Sequence, residues 1–437
     1  MMKLLSRCIH IIMLILTLFL FMAFQYFNII GSVLILCIFL TLFLNKNKVH
    51  FKERIYLNIA IIVMIVIGCI SKYSIKMISC EIILIFLLTN LIIDIYDWKN
   101  LTKSLLSKLI GGIGYFSLII VFIVNALLLY NVVNPDALVI HMQSGEANYP
   151  ENTGEKYRVI NEIEVYEDVV YESKYPNNTY TVYVSKENKG VFFYIHGGGL
   201  VIGDKDLDSQ NMYLNSMVNA GYSVVTVDYV LAPQNPYPQA LFQVNEAFKY
   251  FVDHAHDYGL DTNRIIVGGD SSGAMLSGLL ATVNTNEKYA EQMNITPALQ
   301  NQDVEIKGFV SISGLVDIRR YDETGVFLID WLFNTWGRSA LQNIDFNVSE
   351  EAYMASLLEH VNSSFPNSYI SDGNLATFTE QGKDLVEKLS DLGVSVEYNF
   401  PERSEGILIH DWELDITNDK ALENFNRTIQ FMDLYMK

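Results

Sequence analysis

Cysteine is scarce in this chain of 437 residues, and all four copies lie near its start: Cys8, Cys37, Cys69 and Cys80. The long remainder therefore has no disulfide framework, no cysteine nucleophile and no thiolate metal site. The eight histidines are scattered along the sequence, and no HExxH motif occurs. No metal site is indicated, and we expect the protein to need no cofactor.

Basic residues are also few, with 30 Lys and Arg against 49 Asp and Glu and a formal net charge of −19. The segment 1–133 differs from the rest, because it holds eleven basic and four acidic side chains, whereas the remainder holds 19 and 45. Because the second part carries this excess of negative charge, it repels phosphate backbones, and we expect no nucleic-acid partner. Intrinsic disorder is excluded by 12% aromatic and only 18% charged residues.

Long apolar runs fill the segment 1–133 and predict an all-α membrane domain with the lipid bilayer as its partner. Residues 8–44 alone would form a helix of roughly 55 Å, too long for one crossing of a ~30 Å hydrocarbon core, so we divide them into two spans. The five predicted transmembrane helices cover residues 8–24, 29–44, 55–71, 78–96 and 109–133. The first lacks a small-x-small cleavage site, so we expect it to be retained.

The basic residues that flank these spans predict the orientation in the cell membrane. Nine lie on the side of the N-terminus and two, Lys72 and Lys76, lie on the other side. Because cytoplasmic loops carry the excess of Lys and Arg, we expect a cytoplasmic N-terminus and, after five spans, an extracytoplasmic second part. The fourth span is the weakest, since it contains Glu81, Asn90 and Asp94, and its loss would reverse this orientation.

The second part has the pattern of an α/β domain. Residues 134–162 contain two prolines and several Asn and Glu, and they are predicted to be a linker. From residue 163 to residue 437, short β-rich runs alternate with helical patterns, which favours a mostly parallel sheet. The predicted strands are Ile163–Tyr171, Tyr180–Ser185, Val191–Ile195, Ser223–Val227, Arg264–Gly268, Ile306–Ser313, Ser368–Ser371 and Val394–Phe400.

The strongest chemical signal is Gly269-Asp270-Ser271-Ser272-Gly273, which lies between a predicted strand and a helical pattern. A G-x-S-x-G sequence on a strand-to-helix turn holds its serine in a strained elbow, with the hydroxyl exposed at the helix N-terminus. Ser272 does not fit the central position, because Asp270 rather than glycine stands two residues before it. Ser271 is therefore the predicted nucleophile.

Three consecutive glycines follow His196 at the end of another predicted strand. Because glycine has no Cβ, its N–H group can point closely at a developing oxyanion. We expect the N–H groups of Gly197, Gly198 and Ser272 to form an oxyanion hole. The alternative, a phosphate loop, would require a following Lys and a Ser or Thr, whereas two apolar residues follow here.

These motifs resemble the hormone-sensitive-lipase-like group of esterases. Tyr194–Gly203 matches that group's oxyanion segment, Asp228–Ala240 resembles its DYRLAPE-x-PFPAA segment, and Arg264–Gly273 resembles its RI-x-V-x-GDSAGG segment. The resemblance covers about residues 160–437 and implies an α/β-hydrolase fold with a cap insert at about 318–365. It does not extend to the apolar segment 1–133.

The general base is expected to be a histidine that follows the serine in the chain, and only His360 and His410 do so. His360 lies in a helical stretch within the predicted insert. His410 lies between the last predicted strand and the last helical pattern, where this fold brings a loop over the elbow, and residues 409–412 match the family motif. His410 is the predicted base, and the alternative is a surface histidine beside an aspartate.

The catalytic acid is the point at which this sequence departs from the family. The resemblance places an Asp six residues before a Gly, in the loop after the seventh strand, and this chain has Ala376 there. Asp372, four residues earlier in the same loop, is the predicted acid, although it could instead be a turn residue before Gly373. Glu380 and Asp317 are the alternatives.

An apolar stripe at residues 326–336 falls in the predicted insert. It could line an acyl pocket, dip into the outer membrane surface or pack as ordinary core.

The sequence thus predicts a membrane-anchored serine ester hydrolase that acts through an acyl-enzyme on a small-molecule or lipid ester outside the cytoplasm. Ser271 would attack the acyl carbon, His410 would move the proton, and Asp372 would orient His410. An acyltransferase or peptidase with the same machinery is an alternative. Another alternative is a non-catalytic sensor or interaction domain derived from an esterase, and Ala376 at the expected acid position is the one observation that favours it. The sequence indicates no oligomeric state.

Overall fold

The computed structural model describes most of the second part of the chain and small portions of the first. The described residues are 9, 12–13, 33–39, 51–70, 79, 82–83, 85–87, 131, 134–146, 155–160, 163–206 and 208–436. By its contacts the chain divides into two units, Met1–Pro135 and Asp136–Lys437.

The first unit contains the helix Phe51–Ile70, which covers most of the third predicted span. Among the described residues, no helix is both long enough and apolar enough to cross a membrane. Most residues of the other four predicted spans lie outside the described residues. The five-helix membrane domain therefore stays a prediction from the sequence.

A nine-stranded sheet forms the centre of the second unit, with the order β1-β2-β3-β5-β4-β6-β7-β8-β9. The strands are β1 Lys156–Ile160, β2 Ile163–Val170, β3 Thr179–Val184, β4 Val191–Ile195, β5 Ser223–Val227, β6 Ile265–Asp270, β7 Ile306–Ile312, β8 Ser368–Ser371 and β9 Val396–Asn399. The neighbouring pairs β5–β4, β4–β6, β6–β7, β7–β8 and β8–β9 are parallel. The pairs β1–β2, β2–β3 and β3–β5, at one edge of the sheet, are antiparallel. The predicted strands and the mostly parallel sheet are confirmed.

Helices cover both faces of this sheet. The α-helices are Pro135–Glu146, Asp208–Asn219, Gln239–His254, Ser271–Thr285, Glu287–Met293, Phe327–Leu341, Glu350–Met354, Leu357–His360, Thr379–Asp391 and Asp419–Tyr435. Short 3-10 turns cover Ala255–Tyr258, Ile318–Arg320, Phe346–Val348, Arg403–Glu405 and Trp412–Leu414. All five residues of β4 are buried, and Phe193 packs in one core while Phe192 and Tyr194 pack in the other. Burial on both faces is typical of a parallel sheet between helical layers.

Within the predicted linker 134–162, the described residues include a helix, Pro135–Glu146, and the strand β1. Within the second unit, Gln143 of this helix donates hydrogen bonds of 2.7 and 2.8 Å through Nε2 to the carbonyls of Val201 and Ala232. β1 pairs with β2 along its length. The sequence analysis did not predict this helix or this strand, for two physical reasons. Proline is well tolerated at the first position of a helix, and β1 has only exposed residues, so it lacks the alternation of a half-buried strand.

Candidate active site

Ser271 lies at a sharp turn where β6 ends and the helix Ser271–Thr285 begins. Its φ is +50°, a left-handed value that is unusual for a residue other than glycine. The turn depends on the glycines on either side. A Cβ on Gly269 or Gly273 would lie only 2.2 or 2.1 Å from the carbonyl oxygen of Ile195 in β4. The pentapeptide therefore forms the strained elbow that its sequence predicts.

His410 brings its imidazole to this serine from the segment between β9 and the last helix. Its Nε2 lies 2.9 Å from Ser271 Oγ. Burial lowers the pKa of His410 to about 4, so the ring is neutral at physiological pH and its Nε2 can accept the serine proton. His360, the other candidate, has its Nε2 2.9 Å from the carbonyl oxygen of Tyr353 and packs against Tyr289.

A threonine, rather than a carboxylate, contacts the other nitrogen of His410. Thr377 Oγ1 lies 2.9 Å from His410 Nδ1 and donates a hydrogen bond of 2.5 Å to Asp372 Oδ1. Asp372 is buried, and its Oδ1 also accepts from the backbone N–H of Gly373 at 2.6 Å. The predicted acid therefore reaches His410 through a hydroxyl group. Thr377 was missed in the sequence, although it directly follows Ala376 in the same loop.

The two alternative acids are engaged elsewhere. Asp317 receives two hydrogen bonds of 2.8 and 2.9 Å from the guanidinium of Arg319. Glu380 is exposed and pairs with Lys383 at 2.7 Å. The structure thus brings Asp372, and neither alternative, to the neighbourhood of His410.

In the glycine loop after β4, one of the three predicted oxyanion donors, Gly197, has another partner. The backbone N–H of Gly197 donates a 2.9 Å hydrogen bond to Asp270 Oδ1, so it holds the loop against the elbow and does not face the serine. Tyr194 Oη donates to the same carboxylate oxygen. Among the described residues, no hydrogen bond outside the helices and strands uses the N–H of Gly198, Gly199 or Ser272. Ser272 lies in the first turn of its helix, where N–H groups have no partner within the helix. These three are the amides that remain available to an oxyanion.

Two further carboxyl groups, the half-buried Asp411 and the buried Glu413, lie near His410 and Asp372, and the sequence analysis did not single them out. Asp411 Oδ2 is 3.5 Å from His410 Nε2, and Glu413 accepts a 2.8 Å hydrogen bond from Ser313 Oγ. Burial raises the pKa of Glu413 to about 7, and it raises the pKa of Asp411 well above its ordinary value. Burial first, and the charge of Glu413 second, raise the pKa of Asp372 to about 8. Burial, reinforced by the negative charge of Glu413, therefore keeps the Asp372 carboxyl partly protonated near neutral pH.

Aromatic side chains surround the imidazole. The rings of Phe378 and Phe333 lie edge-on to His410, with centroids 5.1 and 5.8 Å away. Trp336 and Tyr321 pack on Phe333 at 5.5 and 5.0 Å. Phe333 and Trp336 come from the apolar stripe at 326–336, so at least this part of the stripe lines the space near the reacting groups.

The comparisons with sequences of known proteins match only parts of this chain. The family model described as BD-FAE matches residues 178–389. An acetyl esterase of Salmonella schwarzengrund is 38% identical over 112 residues, which make up 26% of this chain and 34% of that protein. The chain thus spans about a third of the length of the curated relatives it matches.

Solved structures match a larger share of the chain. Esterase B of Lactobacillus rhamnosis superimposes with a TM-score of 0.55 at 16% identity, over 70% of this chain and 95% of that protein. A second structure of that enzyme, at 0.54, holds a tributyrin phosphonate inhibitor. Carboxyl esterase 2 of the fungus Tuber melanosporum has a TM-score of 0.50 at 18% identity, over 69% of this chain and 98% of that protein. This likeness shows the fold: the chain has the α/β-hydrolase fold that the motifs predicted.

Proposed function

We propose that this protein is a serine ester hydrolase in which Ser271 forms an acyl-enzyme. The observation that carries the proposal is the 2.9 Å approach of His410 Nε2 to Ser271 Oγ at a strained strand-to-helix elbow. Nucleophile and base within hydrogen-bond reach are the signature of an activated serine. The match to an acetyl esterase supports ester hydrolysis rather than another acyl transfer.

The residues act in the following order. Ser271 Oγ attacks the acyl carbon while its proton passes to His410 Nε2, and the carbonyl oxygen becomes an oxyanion. The amides of Gly198, Gly199 and Ser272 donate to that oxyanion, and removal of one such donor typically raises the barrier by roughly 2.7–4 kcal/mol. His410 then gives its proton to the departing alkoxide. Water, activated by the neutral imidazole, releases the acid and restores Ser271.

The preferred substrate in this proposal is an ester with a short acyl group. The relative named acetyl esterase supports this preference. The rings of Phe333 and Phe378 beside His410 supply apolar surroundings for such a group. The proposed location is extracytoplasmic, on a membrane anchor formed by the segment 1–133. The apolar runs of the sequence and the nine-to-two distribution of its basic residues support this location.

The test is turnover of a nitrophenyl ester series, from acetate to long-chain acyl groups, by the full chain purified in detergent. We expect hydrolysis that is fastest for the short esters. Ser271→Ala should lower kcat by several powers of ten. Ser277→Ala is the matched control, because this buried serine lies in the same helix and, among the described residues, bonds to the carbonyl of Ala274 alone. No turnover of any ester by the wild type would contradict the proposal.

A further inference from the structure

We infer that Thr377 is a positioning residue that transmits the effect of Asp372 to His410. The inference rests on the proposed function, since it concerns the same site. Among the described residues, no side-chain carboxylate bonds to His410 Nδ1, and the contact to that nitrogen comes from Thr377 Oγ1 at 2.9 Å. The position where the resemblance expects the acid holds Ala376, whose methyl group neither accepts nor donates a hydrogen bond.

The hydroxyl of Thr377 has the right number of bonding sites for this task. It carries one proton and two lone pairs. When Asp372 is ionised, Thr377 donates this proton to Asp372 Oδ1 at 2.5 Å, so the hydroxyl oxygen can only act as an acceptor toward His410. An acceptor at Nδ1 holds the proton on that nitrogen and leaves Nε2 without one, facing Ser271. Thr377 therefore selects the tautomer that general-base catalysis requires.

Burial keeps this chain of groups in place. Thr377 is 6% exposed and Asp372 is 1% exposed. The Asp372 Oδ1 atom that accepts from Thr377 is also fixed by the Gly373 amide. In such a low-dielectric site, linked hydrogen bonds polarise one another. The carboxylate can thus act on the ring through one intervening hydroxyl.

The bridge transfers no proton. When Ser271 attacks, its proton goes to His410 Nε2, and it leaves from that nitrogen to the alkoxide. The Nδ1 proton and the Thr377 hydroxyl proton stay on their own atoms. What changes is the charge of the imidazole, and Asp372 balances that charge through the oriented hydroxyl. Among the described residues, the other ionisable groups around Asp372 are Asp411, Glu413 and, through Thr377, His410.

The test compares Thr377→Val, which keeps the shape but removes the hydroxyl, with Thr377→Ser, which keeps the hydroxyl. We expect the valine variant to lose about 10²- to 10⁴-fold in kcat with little change in KM, as for loss of the correct tautomer in a comparable triad. The serine variant should stay within about tenfold of wild type. Thr377→Ala also removes the hydroxyl, should show the same loss of kcat, and replaces the valine variant as the test if valine perturbs folding.

A double variant distinguishes a bridge from two independent effects. Because Asp372 acts only through Thr377, Asp372→Asn combined with Thr377→Val should be no slower than the slower single variant. The inference is overturned if folded Thr377→Val and Thr377→Ala remain within a few-fold of wild type, or if Thr377→Ser loses as much as they do. Failure of the proposed function would appear differently, as a wild-type chain that turns over no ester.

Discussion

His410 Nε2 lies 2.9 Å from Ser271 Oγ, although 139 positions separate the two residues in the chain. Two different segments meet to make this contact. The elbow after β6 presents the serine, and the segment between β9 and the last helix presents the histidine.

The first prediction concerns the acid. Asp372→Asn should lower kcat by several powers of ten with little loss of stability, because an amide cannot balance the charge of the imidazolium. Glu380→Gln is the matched control and should be mild, since Glu380 is exposed and pairs with Lys383. The measurement is kcat on one activated ester for both variants and for Asp317→Asn. If Asp372→Asn stays within a few-fold of wild type, Asp372 is not the acid.

The second prediction concerns pH. Asp372 must be ionised to act, and burial together with the charge of Glu413 raises its pKa to about 8. The ratio kcat/KM should therefore rise with pH through this ionisation. Glu413→Gln removes one negative neighbour, lowers the pKa of Asp372 and should shift the rise to lower pH.

The pH profile is measured from about pH 5 to about pH 9, where such groups titrate. Glu423→Gln serves as the control, because Glu423 is exposed and pairs with Arg427. Its profile should match that of the wild type. If Glu413→Gln does not shift the rise in kcat/KM, or shifts it to higher pH, the ionisation of Asp372 does not govern the rate.

The third prediction concerns the glycine loop. Gly199 has φ +67°, and a Cβ on it would lie 2.2 Å from Tyr321 Oη and 2.4 Å from the ring of Trp336. Gly199→Ala must displace the loop or these side chains, so kcat/KM should fall by about 100-fold or more.

Gly259→Ala is the matched control, because Gly259 has φ +68° but, among the described residues, no neighbouring atom within 4 Å of the added Cβ. It should cost about 1–2 kcal/mol of stability and leave activity intact. Equal activity of both folded variants would show that the loop does not hold the oxyanion.

The fourth prediction concerns location. The nine-to-two distribution of basic residues predicts that protease added to intact cells, after removal of any outer wall, digests residues 140–437. Protection of these residues until the cytoplasmic membrane is opened would mean an even number of spans.

The sequence was informative where chemistry depends on contiguous residues. The elbow around Ser271 and the sheet strands can be recognised because turn geometry and burial impose local patterns. The role of the Gly197 amide could not be predicted, since its partner Asp270 lies 73 positions away. The bridge through Thr377 depends on how the loop after β8 folds, including the left-handed Ala376 with φ +56°. No sequence motif encodes that conformation.

The most direct test of the central claim is covalent capture of the nucleophile. The full chain is treated with a fluorophosphonate, and the modified peptide is identified by mass spectrometry. We predict a single adduct on Ser271, absent in Ser271→Ala and retained in Ser277→Ala, with ester turnover lost in proportion to labelling. An unlabelled Ser271 in a chain that hydrolyses esters, or full turnover by Ser271→Ala, would contradict the assignment of Ser271 as the nucleophile.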